Sequence, residues 1–342
     1  MGSTNASNRR VVLARRPEAG PVQPSAWAVD ETAVSEPAQG EVLVKVRYID
    51  VQPAMRSWLA ENPPYTARIE EGDCMRAQAV GQIVASRHPD YPEGAHVHGM
   101  LGVQTYAMIR PGPTPPQQLT RLDLDLAPLP AHLSALGSSG MTAYFGLLDV
   151  GQMHADDTVV VSSAAGAVGS VAGQIAKLYG CRVVGIAGSA DKCSYLVDEL
   201  GFDAAVDYKQ GDVYSALSRH CPDGIDLYFD NVGGELLDIA MLLLAKRARI
   251  VVSGMLSQYN ATAPAAGPRF YGMLLLKHAR MEGFLAADYQ EHYAQARVTI
   301  AGWMREGKLR SREHVVDGLE AFPEAFPMLS DGRSFGKLLI RV

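Results

Sequence analysis

The chain has 342 residues, of which 47% are hydrophobic and 20% charged, and its formal net charge is −6 at pH 7. This composition is typical of a globular protein that is long enough for two domains. Lysine and arginine are spread along the sequence, which argues against nucleic acid or an anionic membrane surface as a partner and favours a small-molecule ligand.

The N-terminal segment lacks the apolar core of a signal peptide, and no apolar run is long enough to span a bilayer. We therefore expect a cytoplasmic location and no membrane association. The four cysteines have no C-x-x-C spacing, so the sequence predicts neither a disulfide framework nor a structural zinc site.

Residues 1–132 are predicted to form a β-rich domain. Alternating apolar and polar residues between Pro and Gly turns predict strands at 10–14, 41–48, 79–85 and 105–109, arranged as a small antiparallel barrel. His96 and His98 share one face of a further strand, but no third ligand follows at a suitable spacing. The sequence therefore predicts no metal site.

Residues 133–308 are predicted to form a doubly wound parallel sheet of the Rossmann type, because strands alternate with helices there. At 158–170 an apolar strand runs into a small-residue turn and then an amphipathic helix. A phosphate at such a helix N-terminus accepts hydrogen bonds from backbone amides and lies at the positive end of the helix dipole. Glycine permits the close backbone approach, and the predicted cofactor residues of this turn are Ala165, Gly166, Ala167, Val168 and Gly169.

The second strand of this sheet is predicted at 182–187, and the residues that follow it decide which nicotinamide cofactor is expected. No carboxylate stands where NAD-specific folds bind the ribose 2′-hydroxyl. Ser189 and Lys192 instead offer a hydroxyl and an ammonium group to a 2′-phosphate. The sequence therefore predicts NADPH as the cofactor.

The C-terminal segment returns to β-like patterns. A helix is predicted at 289–306, and strands follow at 314–316 and 336–342. The simplest placement of these strands is in the first domain. The β-rich domain would then be discontinuous, with residues 1–132 and 309–342 flanking the nucleotide domain.

This order of domains and four local motifs carry a family resemblance. The motifs are 71–73 (EGD), 142–147 (TAYFGL), 230–234 (DNVGG) and 253–260 (SGMLSQYN). They resemble the zinc-independent branch of the medium-chain dehydrogenase/reductase superfamily, which contains the prostaglandin reductases (leukotriene dehydrogenases), 2-alkenal or double-bond reductases and curcumin reductase. The resemblance implies a GroES-like catalytic domain beside a Rossmann domain, and NADPH-dependent reduction of a carbon–carbon double bond conjugated to a carbonyl.

The resemblance also implies site residues. Tyr259 is the candidate catalytic group, either as a donor to the enolate oxygen or only as a residue that orders the cofactor ribose. Asn231 is a candidate cofactor contact, with turn formation as the alternative. The other implied cofactor contacts are Tyr208, Ser253, Gly254, Met255, Leu256, Ser257 and, by backbone, Phe284, Leu285 and Ala286, together with Ser334 where the family usually has Asn.

Departures from the family motifs bear on the substrate. Ala54, in residues 52–56 (QPAMR), stands where the family stretch DPYMR has a tyrosine that faces the active site. Ala54 and the adjacent Met55 and Arg56 are candidate substrate contacts. Arg76 stands where an apolar Met is usual; it is either a substrate-carboxylate partner or a surface arginine. A quinone reductase of the same superfamily and an NADPH-binding protein with little turnover remain alternatives. A homodimer is expected, with 270–276 as a candidate interface.

Overall fold

A computed structural model describes residues 7–63, 66–114, 116–263 and 265–342. Residues 1–6, part of the segment without a signal-peptide pattern, lie outside the described residues. The strands are β1 (Ser7–Leu13), β2 (Trp27–Ala33), β3 (Val42–Asp50), β4 (Ala79–Ser86), β5 (His96–Gly99), β6 (Tyr106–Ile109), β7 (Leu119–Arg121), β8 (Thr158–Val161), β9 (Arg182–Ala187), β10 (Ala204–Asp207), β11 (Ile225–Asp230), β12 (Leu244–Val252), β13 (Arg280–Gly283), β14 (Glu313–Asp317) and β15 (Lys337–Arg341).

The α-helices are α1 (Met55–Trp58), α2 (Ser138–Phe145), α3 (Ala167–Leu178), α4 (Ala190–Ser194), α5 (Val213–His220), α6 (Gly234–Leu242), α7 (Gly272–Lys277), α8 (Tyr293–Arg305) and α9 (Phe322–Ala325). A π-helical turn, Gly146–Val150, continues α2, and a 3-10 helix, Ala286–His292, precedes α8. Within the described ranges, no helix is long and apolar enough to cross a membrane.

The chain divides into two compact units, Met1–Leu133 with Glu313–Val342, and Ser134–Arg312. The first unit is the expected β-rich domain. It holds a β1–β2 hairpin and a seven-stranded sheet in the order β14-β15-β3-β4-β5-β7, in which β6 also pairs with β3. Most of its core is one apolar cluster in which Trp27 packs edge-on against Phe322 at a centroid distance of 5.2 Å, and Val80, Leu133 and Leu339 form a smaller second cluster.

One pairing in the β-rich unit differs from the predicted antiparallel barrel. β14 and β15 run parallel, with Val315 opposite Leu339. Parallel neighbours need a crossover connection, which the helical residues 319–329 provide. The remaining pairs of this sheet are antiparallel.

The second unit is the predicted Rossmann-type domain, and the structure confirms this fold. Its six strands follow the order β10-β9-β8-β11-β12-β13 and every pair is parallel. Counted from β8, this is the order 3-2-1-4-5-6 of dinucleotide-binding sheets. β8 and β9 read as continuous apolar runs because helices cover both faces of a parallel sheet. The carboxyl ends of these strands form one edge, where the candidate cofactor residues lie.

The helix predicted at 289–306 is present with a different beginning. The α-helical part is α8, Tyr293–Arg305, while the preceding turn is the 3-10 helix Ala286–His292. Tyr289 and Tyr293 both stack on the ring of Phe145 from these two segments. Aromatic packing on α2 thus accompanies the change in helix type.

Candidate cofactor and active site

The turn between β8 and α3 is built for close backbone approach. Gly166 is the N-cap of α3 in an extended conformation, and no side chain within the described residues caps this end. A Cβ placed on Gly169 would lie 2.4 Å from the Ser163 carbonyl oxygen, and one on Gly166 would lie 3.1 Å from it. The helix and the turn after β8 therefore touch at Gly169, and the first amides of the twelve-residue helix lack a side-chain cap among the described residues.

Small side chains complete this cradle. Ala164 and Ala165 are buried, whereas Gly166, Ala167 and Val168 are partly exposed. Partly exposed backbone at the N-terminus of a buried helix is the environment that a pyrophosphate needs. The phosphate-binding role predicted for this turn is compatible with this arrangement and stays a prediction.

Side-chain hydrogen bonds join the carboxyl ends of three neighbouring strands, β8, β11 and β12. Ser162 Oγ donates to Asp230 Oδ1 at 3.1 Å and accepts from the backbone amide of Asn231 at 2.8 Å. Asn231 Nδ2 donates to the Ser162 carbonyl oxygen, and Asn231 Oδ1 accepts from Ser253 Oγ, both at 2.7 Å. Both ends of the Asn231 amide are therefore engaged within the chain, and this side chain fixes two loops relative to each other.

Asp230 lies at the centre of this network and is fully buried. Its Oδ1 also accepts from the Val232 and Gly233 amides at 3.0 and 2.9 Å, so it closes the turn that begins α6. Burial raises the pKa of Asp230, against the hydrogen bonds from these amides and from Ser162, which lower it. Ser162 and Asp230 were not predicted as site residues, although both stand at the carboxyl end of a parallel strand, where such sheets bind ligands.

The loop that carries Tyr259 runs beside this turn. Backbone amides of Gly254, Leu256 and Ser257 donate to the carbonyl oxygens of residues 230, 231 and 232, at 3.1, 3.2 and 3.1 Å. Ser257 Oγ adds a bond to the carbonyl oxygen of residue 232 at 2.6 Å. Tyr259 follows two residues later and is half-buried. Its backbone is thus held at the edge of the sheet that also carries the α3 cradle.

The residues predicted to bind the 2′-phosphate of NADPH follow the carboxyl end of β9. Ser189 is the N-cap of α4, and its Oγ accepts from the backbone amide of Lys192 at 3.3 Å. The ring of Tyr208 covers Gly188, where an added Cβ would lie 2.7 Å from the Tyr208 Cε1 atom. Lys209 Nζ lies 5.8 Å from the centroid of the same ring. Ser189 and Lys192 after β9 therefore lie at the same sheet edge as Tyr208 and Lys209, which follow the neighbouring parallel strand β10.

Phe284, Leu285 and Ala286 follow β13 at the same edge of the sheet. The Phe284 side chain packs inward, because a Cβ on Gly146 would lie 2.8 Å from the Phe284 Cζ atom. Leu285 is 55% exposed, so this three-residue stretch leaves its backbone near the surface. The backbone contact implied by the resemblance is compatible with this arrangement.

The remaining predicted residues belong to the β-rich unit. Met55 is fully buried in its core, so no part of this side chain is open to a ligand. Arg56 donates to the Glu18 and Gly20 carbonyl oxygens at 2.9 and 3.2 Å. Ala54 and Ser334 are half-buried.

Arg76, also in the β-rich unit, is used within its own loop. It donates to Thr66 Oγ1 at 2.6 Å and to the Ala67 carbonyl oxygen at 3.0 Å, and its guanidinium lies 5.9 Å from the Trp58 ring centroid. This arginine therefore pins residues 66–67. Recognition of a substrate carboxylate by Arg76 stays a prediction.

Known protein families match both units of this chain. Two family models match the chain, an N-terminal domain of oxidoreductase over residues 9–115 and a zinc-binding dehydrogenase domain over residues 167–301. The NADPH-dependent curcumin reductase of Escherichia coli (strain K12) is 40% identical over 354 residues, which cover 100% of this chain and 99% of that protein. This chain belongs to the zinc-independent prostaglandin, 2-alkenal and curcumin reductase family.

The family relationship extends over nearly the whole reductase. Prostaglandin reductase 1 of Mus musculus is 39% identical over 307 residues, covering 88% of this chain and 89% of that protein. The crystal structure of CurA from Vibrio vulnificus in complex with NADPH is 38% identical, covers 98% of this chain and 99% of that one, and superimposes with a TM-score of 0.91. The resemblance drawn from the four motifs is thus confirmed. Among the described residues, no group of three or more His, Cys, Asp or Glu side chains is placed to hold a metal ion.

Proposed function

We propose that this reductase uses NADPH to reduce the carbon–carbon double bond of α,β-unsaturated ketones or aldehydes. The observation that carries the proposal is the hydrogen-bond network that ties the loop of Tyr259 to the turn after β11, at the edge of the sheet that carries the α3 cradle. The membership of the chain in a family of NADPH-dependent C=C reductases supports the same reaction.

NADPH supplies the hydride for the β-carbon of the substrate. The backbone of 165–169 would hold its phosphates, and Ser189, Lys192 and Tyr208 would surround the 2′-phosphate. Residues 253–257 and Asn231 would line the ribose side, and the backbone of 284–286 would bind the carboxamide. The α3 turn suits its role by its open backbone, and Lys192 suits its role by its charge.

Tyr259 is proposed as the donor to the substrate carbonyl oxygen. A phenol hydroxyl donates a hydrogen bond that stabilises the negative charge developing on that oxygen after hydride transfer. A solvent proton then completes the reaction at the α-carbon. The alternative role, ordering of the cofactor ribose, predicts a different kinetic result.

Replacement of Tyr259 by Phe separates these roles. Loss of an oxyanion donor is expected to lower kcat about 100-fold while the Kd for NADPH stays within about twofold of wild type. Tyr214→Phe is the matched control, because Tyr214 is 43% exposed on α5. If Tyr259→Phe weakens NADPH binding and leaves kcat unchanged, Tyr259 orders the cofactor and is not the donor.

A substrate panel distinguishes the other candidate functions. NADPH oxidation is measured with enals, enones and quinones, with NADH as a control. Turnover of enals or enones with NADPH preferred is the expected result. Turnover with quinones alone would indicate a quinone reductase, and tight NADPH binding without turnover would indicate a binding protein.

We also propose a homodimer that forms through the edge of the nucleotide sheet. β13 is the last strand in its sheet order, and nearby Tyr271, Leu275 and Leu276 are 70%, 79% and 71% exposed. An open strand edge beside large exposed apolar side chains is a template for pairing. Light scattering during gel filtration should give the mass of two chains, and Leu275→Glu with Leu276→Glu should give one. A monomeric wild type would contradict this proposal.

A reducing compartment suits this protein, so we propose a cytoplasmic location. All four cysteines are free thiols, and Cys181 and Cys221 are buried. Burial is the main cause that raises the pKa of each of these two thiols to about 11, so they stay protonated and unreactive. Localisation of a tagged protein by cell fractionation tests the proposal, and recovery outside the cytoplasm would contradict it.

A further inference from the structure

We propose that Tyr289 is a positioning residue that holds the backbone stretch 284–286 in the geometry that binds the nicotinamide carboxamide. The inference rests on the proposed function. It concerns a side chain that neither the motifs nor the family resemblance assigned to the site.

The first observation is an aromatic cluster around Tyr289. Its ring stacks on that of Phe145, with centroids 4.7 Å apart and an interplanar angle of 15°. The ring of Phe284 meets it edge-on, at 6.2 Å and 79°. Tyr289 thus lies against both the end of α2 and the first residue of the 284–286 stretch. Stacked and edge-to-face pairs are the favoured arrangements of aromatic side chains.

The second observation is the notch that receives Phe284. Gly146 follows Phe145 directly, and a Cβ at this position would lie 2.7 Å from the Phe229 Cε2 atom and 2.8 Å from the Phe284 Cζ atom. Phe229 is fully buried in β11. The Phe284 ring therefore enters a slot whose floor is glycine and whose wall is a core phenylalanine, and Tyr289 covers an adjoining side.

The third observation is the support behind Tyr289. Tyr293, one turn further along, stacks on Phe145 at 6.1 Å and 16°. The Arg297 guanidinium lies 5.5 Å from the Tyr293 ring centroid, and Arg297 Nε donates to the Leu136 carbonyl oxygen at 3.0 Å. Three side chains spaced four residues apart thus fasten Ala286–His292 and α8 to α2 and the segment before it.

The hydroxyl of Tyr289 has its own partner. Its interaction with the Asp149 carboxylate is the main cause that raises the pKa of Tyr289 to about 12. The phenol is therefore neutral at any working pH, so the ring stacks as an uncharged group.

The functional consequence concerns one half of the cofactor. Leu285 is 55% exposed, so the inward packing of Phe284 is the side-chain anchor of residues 284–286, beside the backbone bond from the Asp288 amide to the Leu285 carbonyl oxygen. Loss of the Tyr289 ring removes one side of that packing. The contact with the nicotinamide carboxamide should weaken. The residues proposed to bind the 2′-phosphate, around Lys192, follow a different strand, β9, and their contact should be unaffected.

Calorimetric titration of the full-length protein with two probes tests the inference. The probes are NADPH and 2′,5′-ADP, which contains the adenosine and 2′-phosphate parts without nicotinamide. Tyr289→Ala should raise the Kd for NADPH about tenfold or more and leave the Kd for 2′,5′-ADP within about twofold. Tyr289→Phe, which keeps the ring, should restore most of the NADPH affinity. Tyr214→Ala, at an exposed position of the same unit, is the control.

Two results would overturn the inference. One is an unchanged NADPH affinity in Tyr289→Ala, and the other is an equal loss of affinity for both probes, which would mean general damage to the unit. Unaltered 2′,5′-ADP binding also reports that the variant has folded. Failure of wild type to bind NADPH would overturn the proposed function itself and is distinguishable from both results.

Discussion

The contact between α3 and the turn after β8 makes a quantitative prediction at Gly169. Replacement by Ala would place a Cβ 2.4 Å from the Ser163 carbonyl oxygen and 2.8 Å from the Ala164 Cα atom. Both neighbours are backbone atoms, so the helix must move away from the turn. Overpacking of this kind costs about 1–3 kcal/mol in the free energy of unfolding, while the change from Gly to Ala in a helix contributes about 1 kcal/mol in the opposite direction.

Gly302→Ala is the matched control, because Gly302 lies in α8 of the same unit and its added Cβ would meet nothing within 4 Å. The helix gain is common to both variants and cancels, so we expect Gly169→Ala to be less stable than Gly302→Ala by about 1–3 kcal/mol. Urea unfolding measures this difference. The Kd for NADPH should rise about tenfold in Gly169→Ala only, by fluorescence titration. Equal stability and equal NADPH affinity of the two variants would refute the close-contact argument.

Three further predictions concern charged groups. Lys192→Ala should raise the KM for NADPH at least about tenfold and leave the KM for NADH unchanged, because a charge-assisted contact with the 2′-phosphate is lost. Lys246→Ala, at an exposed position, is the control. Equal effects on both cofactors would contradict the assignment of Lys192. Lys337 Nζ lies 2.5 Å from Asp50 Oδ1, and both side chains are buried. Lys337→Met should therefore destabilise the protein by about 3–5 kcal/mol in thermal or urea unfolding, because it leaves the buried Asp50 carboxylate without its cation. If the double variant Asp50→Leu/Lys337→Met is as unstable as Lys337→Met, the unpaired carboxylate is not the cause of the loss. Partial burial opposes ionisation of Asp203, but hydrogen bonds from Lys177 and the Val183 amide outweigh it and lower the pKa of this carboxyl. Because the folded pKa lies below the unfolded one, its stabilisation is present above the ordinary pKa and is lost as the pH falls through the folded pKa. Asp203→Asn should thus be about 1 kcal/mol less stable at pH 7, with a difference that shrinks in acid; a constant difference at all pH values would contradict this.

The sequence predicted the parts of the fold that depend on local pattern. Apolar runs at β8 and β9, and glycines at the β8–α3 turn, specify a buried parallel sheet with a cradle, and both are present. The parallel pairing of β14 with β15 was not predicted, because strand direction depends on a crossover between distant residues. The alternation pattern of a strand shows which face of the sheet each side chain occupies, but it does not specify which strand lies beside it.

The site was predicted unevenly for a related physical reason. Motifs indicated Asn231 and Ser253, but the hydrogen bonds that tie Asp230 and Asn231 to Ser162 connect residues 68 and 69 positions apart. Tyr289 carries no motif, and its contacts with Phe145 and Phe284 exist only after the helices pack. Long-range contacts of this kind leave no periodic signal in the sequence.

The most direct test of the proposed reaction follows the transferred hydrogen. Purified protein is incubated with an α,β-unsaturated ketone and NADPH deuterated at its transferable position, and the product is analysed by NMR. Deuterium at the β-carbon of a saturated ketone is the predicted result. Deuterium at the carbonyl carbon of an alcohol would mean that the enzyme reduces the carbonyl group, and would contradict the account.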